Sequence, residues 1–202
     1  YKWLNVSIGY KYLKDVMEWT KYIYPGKEFA YNTSLNFDHK QLLYASVHVS
    51  PKFGIFRPTW GFYYNQQFFD TKKYGASKAL SKPLLSCSLN NNFALSETMN
   101  AAIRLNASTT HADGFLMMKS GYSVNLQFDK SFANRTWIIY LSANDIFKTA
   151  KERWTMYGLG AGTTKDCYNY TRNISLQITY NFNAKRSKYK GTGAGNEEKN
   201  RL

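Results

Sequence analysis

The chain has 202 residues, of which 44% are hydrophobic and 17% aromatic, and its formal net charge is +14. Its apolar residues are interleaved with polar ones, and no apolar stretch approaches the roughly 20 residues of a transmembrane helix. This excludes a helical membrane protein but not a membrane β-barrel, whose strands alternate apolar and polar residues. The positive charges are scattered between predicted strands and gathered near the end, without a single basic stripe, so nucleic-acid binding is not predicted.

An alternation of apolar and polar residues predicts about eight antiparallel strands. Successive side chains of a strand point to opposite faces, so such a strand borders an apolar medium on one side and water on the other. The predicted strands are residues 4–11, 41–49, 59–69, 85–93, 99–108, 122–129, 136–144 and 172–182. The fold class predicted is therefore all-β, an antiparallel up-and-down membrane β-barrel.

The last strand has the cleanest alternation. Its apolar face carries Ile174, Leu176, Ile178, Tyr180 and Phe182. Its polar face includes Ser175 and Gln177, and the same parity in earlier strands gives further residues expected to face a water-filled lumen. The lumen-facing candidates are Arg104, Asn106, Asn125, Gln127, Ser175 and Gln177.

The connections between strands alternate in length. Short turns are predicted at residues 50–56, 96–98 and 129–135, and longer connections at residues 13–40, 71–82, 109–114 and 147–171. Short periplasmic turns and longer external loops give this rhythm in outer-membrane barrels. The last strand then runs towards the periplasm, and the connection 147–171 is external.

Aromatic residues near the predicted strand ends suit the interfacial girdles of a membrane barrel. The candidates for these girdles are Trp60, Tyr122, Phe128, Trp137, Tyr180 and Phe182. A general preference of aromatic residues for strands is the alternative explanation. In the connection 147–171, Tyr157, Tyr168 and Tyr170 are candidate ligand contacts, which would either stack on sugars or anchor the loop at lipid headgroups.

The composition divides the chain into a barrel segment, residues 1–182, and a tail, residues 183–202. The tail is polar, glycine-rich and basic, and it is predicted to be flexible and periplasmic. No secretory signal opens the sequence, so we expect a mature chain or a fragment. Its two cysteines, Cys87 and Cys167, are too few for a disulfide scaffold, and no bridge between them is expected.

No motif for catalysis, a cofactor or a metal is found. The three histidines, His39, His48 and His111, are far apart, and no acidic pair is placed for acid–base chemistry. The glycine-rich runs at residues 158–162 and 191–195 lack the preceding strand and following helix of a phosphate-binding loop. We therefore expect a protein that is not an enzyme.

Several local sequences resemble the C-terminal end of Bacteroidetes TonB-dependent receptors and the related outer-membrane β-barrel family. The matching segments are residues 81–83 (Ser-Lys-Pro), 88–93 (Ser-Leu-Asn-Asn-Asn-Phe), 129–132 (Asp-Lys-Ser-Phe), 142–147 (Ser-Ala-Asn-Asp-Ile-Phe), 171–176 (Thr-Arg-Asn-Ile-Ser-Leu), 179–182 (Thr-Tyr-Asn-Phe), 188–195 (Lys-Tyr-Lys-Gly-Thr-Gly-Ala-Gly) and 198–202 (Glu-Lys-Asn-Arg-Leu). The resemblance covers residues 81–182 well and residues 1–80 loosely.

This resemblance implies the C-terminal wall of a barrel of about 22 strands, in a Gram-negative outer membrane. Such receptors import a bulky nutrient (metal chelate, glycan, vitamin or peptide). The implied partners are the lipid bilayer, lipopolysaccharide, the TonB energy-coupling system through a missing N-terminal plug, and the barrel-assembly machinery, which would read Tyr180 and Phe182. Asn144 and Asp145 would end the penultimate strand near the outer rim.

Two alternatives remain open from the residues. One is a self-contained eight-stranded outer-membrane barrel with a structural or adhesion role, since eight strands can close on themselves. The other is a soluble lipocalin-like carrier with the two faces reversed. If the chain is a section of a larger barrel, its last strand has an unpaired edge unless the eight strands close.

Overall fold

The computed structural model describes residues 3–23, 26, 28–73, 75–76, 80–160 and 162–182. The tail, residues 183–202, was predicted to be flexible and lies outside them. The strands are β1 (Leu4–Ile23), β2 (Ala30–Val49), β3 (Phe56–Phe68), β4 (Leu84–Ser96), β5 (Met99–Ser108), β6 (His111–Asp113), β7 (Leu116–Met118), β8 (Gly121–Phe132), β9 (Trp137–Asn144), β10 (Lys151–Tyr157), β11 (Gly162–Tyr168) and β12 (Asn173–Tyr180). No helix in the described part of the chain is long and apolar enough to span a membrane.

Eight strands form one antiparallel sheet, which we call the wall. Its order is β1-β2-β3-β4-β5-β8-β9-β12, so strands that follow one another along the predicted barrel are neighbours in space. This confirms the eight predicted strands and the up-and-down connectivity. Short turns join strands at one end of the wall, and the long connections lie at the other end, which we call the long-connection end.

The cross-strand register sorts the wall into two faces, because residues directly opposite each other share a face. One row across the wall is polar apart from a glycine, and the adjacent row is apolar. The first row is Asn5, His48, Gly61, Ser88, Asn106 and Ser123. The second row is Val6, Val47, Phe62, Cys87, Ala107 and Tyr122. The alternation seen in each strand is thus continuous across the sheet.

The apolar face carries large side chains that no other part of the described chain covers. Ile8 is 75% exposed, Ile174 is 78% exposed and Leu176 is 62% exposed. A monomeric protein in water rarely leaves a contiguous patch of this kind uncovered. The face therefore has the character of a surface that contacts lipid.

Aromatic residues concentrate at the short-turn end of the apolar face. Phe56 stacks on Phe93 with centroids 5.0 Å apart, and Trp137 packs against Tyr180 at 4.5 Å. Three details of the prediction are wrong. Trp60 was expected near a strand end but lies inside β3, which begins at Phe56. Phe128 lies inside β8, which continues to Phe132 because residues 129–132 go on pairing with β9, and β12 ends at Tyr180 rather than at residue 182.

The connection predicted at residues 13–40 is instead an extension of β1 and β2, which pair as far as Ile23 and Ala30. The register skips only the opposed residues Asp15 and Asp38, and Asp15 has a φ of +53°. Residues 13–23 and 30–40 lack clean alternation because several of their side chains contact other connections rather than lipid. Lys21, for example, donates to Thr163 of the connection 147–171 at 2.7 Å, and Glu18 and Lys40 form a largely buried ion pair at 2.6 Å within the extension itself.

The connections predicted at residues 109–114 and 147–171 also contain strands. β6, β7, β10 and β11 form a second sheet with the order β11-β10-β7-β6, which we call the cap. A core lies beneath it, made of Phe37, Phe69, Ala76, Phe115 and Met156. The buried side chain of Gln67 attaches the connections 71–82 and 109–114 to β3, since it bonds to Leu80 and to both the N–H and the C=O of Gly114.

The wall is open in the described part of the chain. β12 pairs with β9 alone, and β1 pairs with β2, apart from one isolated bridge between Tyr22 and Leu159. The part of β1 towards the short-turn end and the whole of β12 therefore have an edge without a neighbouring strand. This agrees with the expectation of an unpaired edge on the last strand.

Candidate functional site: the polar face and the cleft beneath the cap

All six lumen-facing candidates lie on the polar face of the wall. Arg104 stands opposite Asn125, and Asn106 stands opposite Ser123. Gln127 shares a row with Ser175 through Ser142, and Gln177 stands opposite Tyr140. The structure therefore brings together residues from β5, β8 and β12 that are far apart in sequence.

Three of these candidates form hydrogen bonds, and one of them, Gln177, donates to the hydroxyl of Thr179 at 3.4 Å. The side-chain oxygen of Asn125 accepts a bond from the backbone N–H of Asp145 at 2.8 Å. The hydroxyls of Ser175 and Ser142 are 2.7 Å apart. Gln127 differs, because its Oε1 is buried without a hydrogen-bond partner. These residues contribute to the order of the wall as well as to its polar surface.

A polar cleft of about 640 Å³ lies between the polar face and the cap, at the long-connection end. The wall contributes small polar side chains to this cleft, and the cap contributes charged ones. Its polar and charged lining residues are Tyr63, Ser86, Ser88, Asn106, Ser108, His111, Lys119, Ser123, Thr149, Lys151, Glu152, Arg153 and Asn169. These side chains offer hydrogen-bond donors and acceptors to a ligand, beside apolar lining from Ala107, Met118 and Tyr122.

Glu152 is the acidic group of this cleft, and its charge is engaged within the cap. Its carboxylate accepts bonds from Lys165 at 2.7 Å, Trp154 at 3.0 Å and Asn169 at 3.3 Å. The hydrogen bond from Lys165, followed by those from Trp154 and Asn169, lowers the pKa of Glu152 to about 2. The same bond raises the pKa of Lys165.

Asp145 ties together the connections that follow β9. It has a φ of +46°, and its buried carboxylate accepts bonds from the N–H groups of Thr149 and Ala150 and from the hydroxyl of Thr171. Burial raises the pKa of this carboxyl, but the hydrogen bonds outweigh that effect and hold the pKa below its ordinary value. β9 ends at Asn144, which confirms the predicted strand end.

The three tyrosines proposed as ligand contacts have different environments. Tyr157 packs against the small cluster of Leu80, Ala112 and Met117. Tyr168 accepts a bond from the N–H of Arg172 at 2.8 Å, and Tyr170 packs edge-on against it at 5.8 Å. Tyr170 is 86% exposed, so it is the one of the three that presents a largely open ring.

The two aromatic residues at the end of the last strand lie together at the short-turn end. Tyr180 and Phe182 pack edge-on with centroids 4.5 Å apart, and Phe182 is 82% exposed. The backbone N–H of Asn181 still donates to Thr136, so pairing continues one residue beyond β12. The exposed ring of Phe182 is thus held next to an ordered strand end.

The histidines are separated in the fold as they are in sequence. His39 stacks on Tyr12, His48 packs against Tyr63 on the polar face, and Nδ1 of His111 lies 2.9 Å from the carbonyl of Thr109. Within the described residues no group of three potential metal ligands occurs. Cys87 and Cys167 are both free thiols.

Sequence reasoning missed a group of basic residues, Lys148, Lys151 and Arg153, which line a second cleft. This group of residues was not recognised because the segment 147–171 was predicted to be a loop without strands. The alternation of Lys151 and Arg153 about Glu152 is the signal that would have identified a strand with a basic face.

A family model, described as the outer membrane protein beta-barrel family, matches residues 1–180. The chain belongs to this family. It is therefore an outer-membrane protein in a setting of lipid and lipopolysaccharide, and its apolar face is the surface suited to the hydrocarbon. This location argues against the soluble carrier. Neither the curated proteins nor the solved structures include a match to the chain.

Proposed function

We propose that this chain forms the C-terminal wall of a TonB-dependent receptor that imports a bulky nutrient, such as a metal chelate, glycan, vitamin or peptide, and that it has no enzymatic role. The observation that carries the proposal is the open wall, whose terminal strands β1 and β12 do not pair with each other. The long connections and the cap would be external, and the short turns periplasmic.

An open sheet edge is costly inside a bilayer. Each backbone N–H or C=O left without a partner in hydrocarbon costs several kcal/mol, so membrane sheets close into barrels. β12 carries exposed apolar residues along its whole length and pairs on one side only. Further strands that pair with β12 and β1 would remove this cost, as they do in a wider barrel.

The polar face supports a wide lumen. A closed barrel of about eight strands fills its interior with side chains. Here the polar row that contains Ser88 and Ser123 borders the polar cleft of about 640 Å³, while the ring of Tyr63 covers Gly61 in the same row. Small side chains over an open cleft suit a lumen that also holds a plug and a ligand.

In this proposal each partner contacts a different region of the protein. The TonB system would act through the plug, and the barrel-assembly machinery would read the exposed end formed by Tyr180 and Phe182. Lipopolysaccharide would contact the long-connection end, and Tyr170 would be the most accessible ligand or headgroup contact among the tyrosines.

The second candidate is a self-contained eight-stranded barrel with a structural or adhesion role. The strand number favours it, because the wall has eight strands and eight can close. The two candidates differ in one geometric respect. In the small barrel β1 and β12 are neighbours, whereas in the large barrel other strands separate them.

Disulfide trapping in native outer membranes tests this difference. The background is the natural full-length product with Cys87→Ser and Cys167→Ser. Each test variant then carries two new cysteines. One replaces Asn5 or Ser7 in β1, and the other replaces Ser175 or Gln177 in β12. All four positions are on the polar face, which water-soluble oxidants can reach. A disulfide needs Cα atoms within about 7 Å, so only neighbouring strands cross-link.

The matched control is the pair Ser142→Cys with Ser175→Cys, whose hydroxyls are 2.7 Å apart on the paired strands β9 and β12. The large barrel predicts cross-linking of the control pair and of none of the β1–β12 pairs. Cross-linking of any β1–β12 pair as efficiently as the control would overturn the receptor proposal in favour of the small barrel.

A second experiment tests the energy coupling directly. The natural full-length product, purified in detergent, would be mixed with the periplasmic domain of TonB from the same organism. Saturable binding supports the receptor, and absence of binding contradicts it.

A further inference from the structure

A basic cleft of about 540 Å³ lies next to the polar cleft, where β5 ends and β8 begins. Among the described residues, three cations line it, namely Lys148, Lys151 and Arg153, and no acidic residue does. Hydroxyl groups of Ser108, Ser120 and Thr149 complete its polar lining. Cations and hydroxyls without a carboxylate are the groups that bind phosphate and related oxyanions.

Arg153 is already held in place on one side. Its Nη2 donates to the backbone carbonyl of Ser120 at 2.7 Å, which fixes the guanidinium against the start of β8. Its Nε is buried and has no hydrogen-bond partner. A buried donor on a charged group is costly to leave unpaired, so this site lacks an acceptor that a ligand oxygen would supply.

The two lysines extend the same basic surface. Lys151 is two residues before Arg153 in β10 and therefore projects from the same face of the cap. Lys148 lies in the preceding connection, and its Nζ is 5.3 Å from the centre of the Tyr168 ring. In the described part of the chain the ion pairs involve other lysines, namely Lys40, Lys73 and Lys165.

The acidic residues near this surface do not neutralise it. Glu152 points to the opposite face of β10 and binds Lys165. Asp145 is buried and accepts hydrogen bonds from its own connection. Asp166 stands opposite Arg153 in the register but forms no ion pair with it.

We propose that Lys148, Lys151 and Arg153 form a binding site for a phosphate-type oxyanion. The Arg153 guanidinium and the two lysines supply positive charge around the oxyanion, and a rotation of the Arg153 side chain would bring its buried Nε to one of the ligand oxygens. The site requires no movement of the wall, because Arg153 is anchored to β8 through Ser120.

Two kinds of molecule carry such an oxyanion to the cleft, a membrane lipid and a soluble ligand. Ala107 and Tyr122 line it and belong to the apolar face, which places the phosphate of an outer-leaflet lipid within reach. The basic cleft also shares Ser108, Thr149, Lys151 and Arg153 with the polar cleft, which makes a phosphorylated soluble ligand accessible. Only the second source rests on the proposed uptake function.

The test is a binding measurement on the natural full-length product in non-ionic detergent, with two probes. One probe is tripolyphosphate in solution, and the other is lipid A in mixed micelles. The test variant is the double substitution Lys151→Gln and Arg153→Gln. The matched control is Lys52→Gln with Arg57→Gln, which removes the same two types of charge from exposed positions at the short-turn end.

We expect saturable, salt-sensitive binding of at least one probe by the wild type and the control. The test variant should bind at least about tenfold more weakly, which corresponds to about 1.4 kcal/mol, because it removes two charge-assisted contacts. Loss for lipid A alone identifies a lipid source, and loss for tripolyphosphate identifies a soluble one. Wild-type protein that binds neither probe, or equal loss in the control, overturns the proposal.

Folding is controlled separately. Heat-modifiable mobility and circular dichroism would establish that each variant is folded. If the double variant does not fold, Lys148→Gln replaces an exposed lysine of the site, and unchanged probe binding by this variant would contradict the proposal. Because neither measurement involves TonB or uptake, failure of the oxyanion site and failure of the receptor function are distinguishable.

Discussion

The wall and the cap are stabilised in different ways. The wall has regular pairing across eight strands and an apolar face whose side chains remain exposed, for example Ile174 at 78%. The cap has short strands, but it encloses the core that contains Phe115 and Met156, each about 1% exposed. The wall therefore depends on backbone pairing and on lipid, whereas the cap depends on protein packing and individual hydrogen bonds.

The largest effect in this comparison is expected from the cap core. Phe115→Ala removes a buried ring that packs against Phe37 and Phe69, with centroids 5.3 and 5.5 Å away. Such a truncation costs about 3–5 kcal/mol. We expect the cap to become sensitive to protease while the wall stays folded, as measured by limited proteolysis and heat-modifiable mobility.

The matched control is Phe147→Ala, which truncates the same type of side chain in a neighbouring connection where it is 61% exposed. It should change protease sensitivity little. If both variants unfold the wall, the two regions form a single cooperative unit and the comparison is wrong.

The wall was predictable from sequence and the cap was not, for a physical reason. Alternation such as that of Leu176 and Gln177 arises because one face contacts lipid and the other water, a constraint that repeats along each strand. In the cap no single medium covers a face. Trp154 and Met156 pack on one core and Tyr157 on another, so the alternation that begins at Lys151 extends over only a few residues of β10 and one face changes from basic to apolar.

The second effect concerns the two faces of the wall. Leu176→Arg places a charge on the apolar face of β12, and a cation near the middle of the hydrocarbon costs about 2–4 kcal/mol in a barrel strand. Gln177→Arg, one residue away on the polar face, should be nearly neutral. Unfolding titrations in lipid vesicles measure both, and equal costs for the two variants would show that the faces are wrongly assigned.

The third effect concerns the junction between the wall and the cap. Asp145→Ala leaves the N–H groups of Thr149 and Ala150 without their acceptor, and an unpaired buried group costs about 1–3 kcal/mol. Asp145→Asn keeps an acceptor oxygen and tolerates the positive φ, so it should cost less. Thermal unfolding of the two variants measures the difference, and a larger cost for Asn than for Ala would contradict the role given to Asp145.

This junction also shows how far the candidate site was predictable. The lumen-facing candidates followed from parity, and the structure places Arg104 and Asn125 on one face as parity requires. That Asn125 also bonds to Asp145 depends on contact between β8 and the residue after β9, and no local pattern encodes such a contact. The basic cleft depends in the same way on Ser120 and Arg153 meeting across the fold.

The smallest effect is the pH dependence of the cap. The pKa of Glu152 is about 2 in the folded protein, against an ordinary value of 4.5, so its contribution to stability is fully present above pH 4.5 and is lost as the pH falls towards 2. The group is partly exposed, with 36% of the side chain accessible, so solvent reduces this contribution. Trp154 donates to Glu152 at 3.0 Å, so the fluorescence of Trp154 should change over this pH range. The substitution Glu152→Gln should abolish that change. A transition centred near pH 4.5 would mean that Lys165 does not hold the carboxylate, and the cap would then owe its order to the packing around Met156 alone.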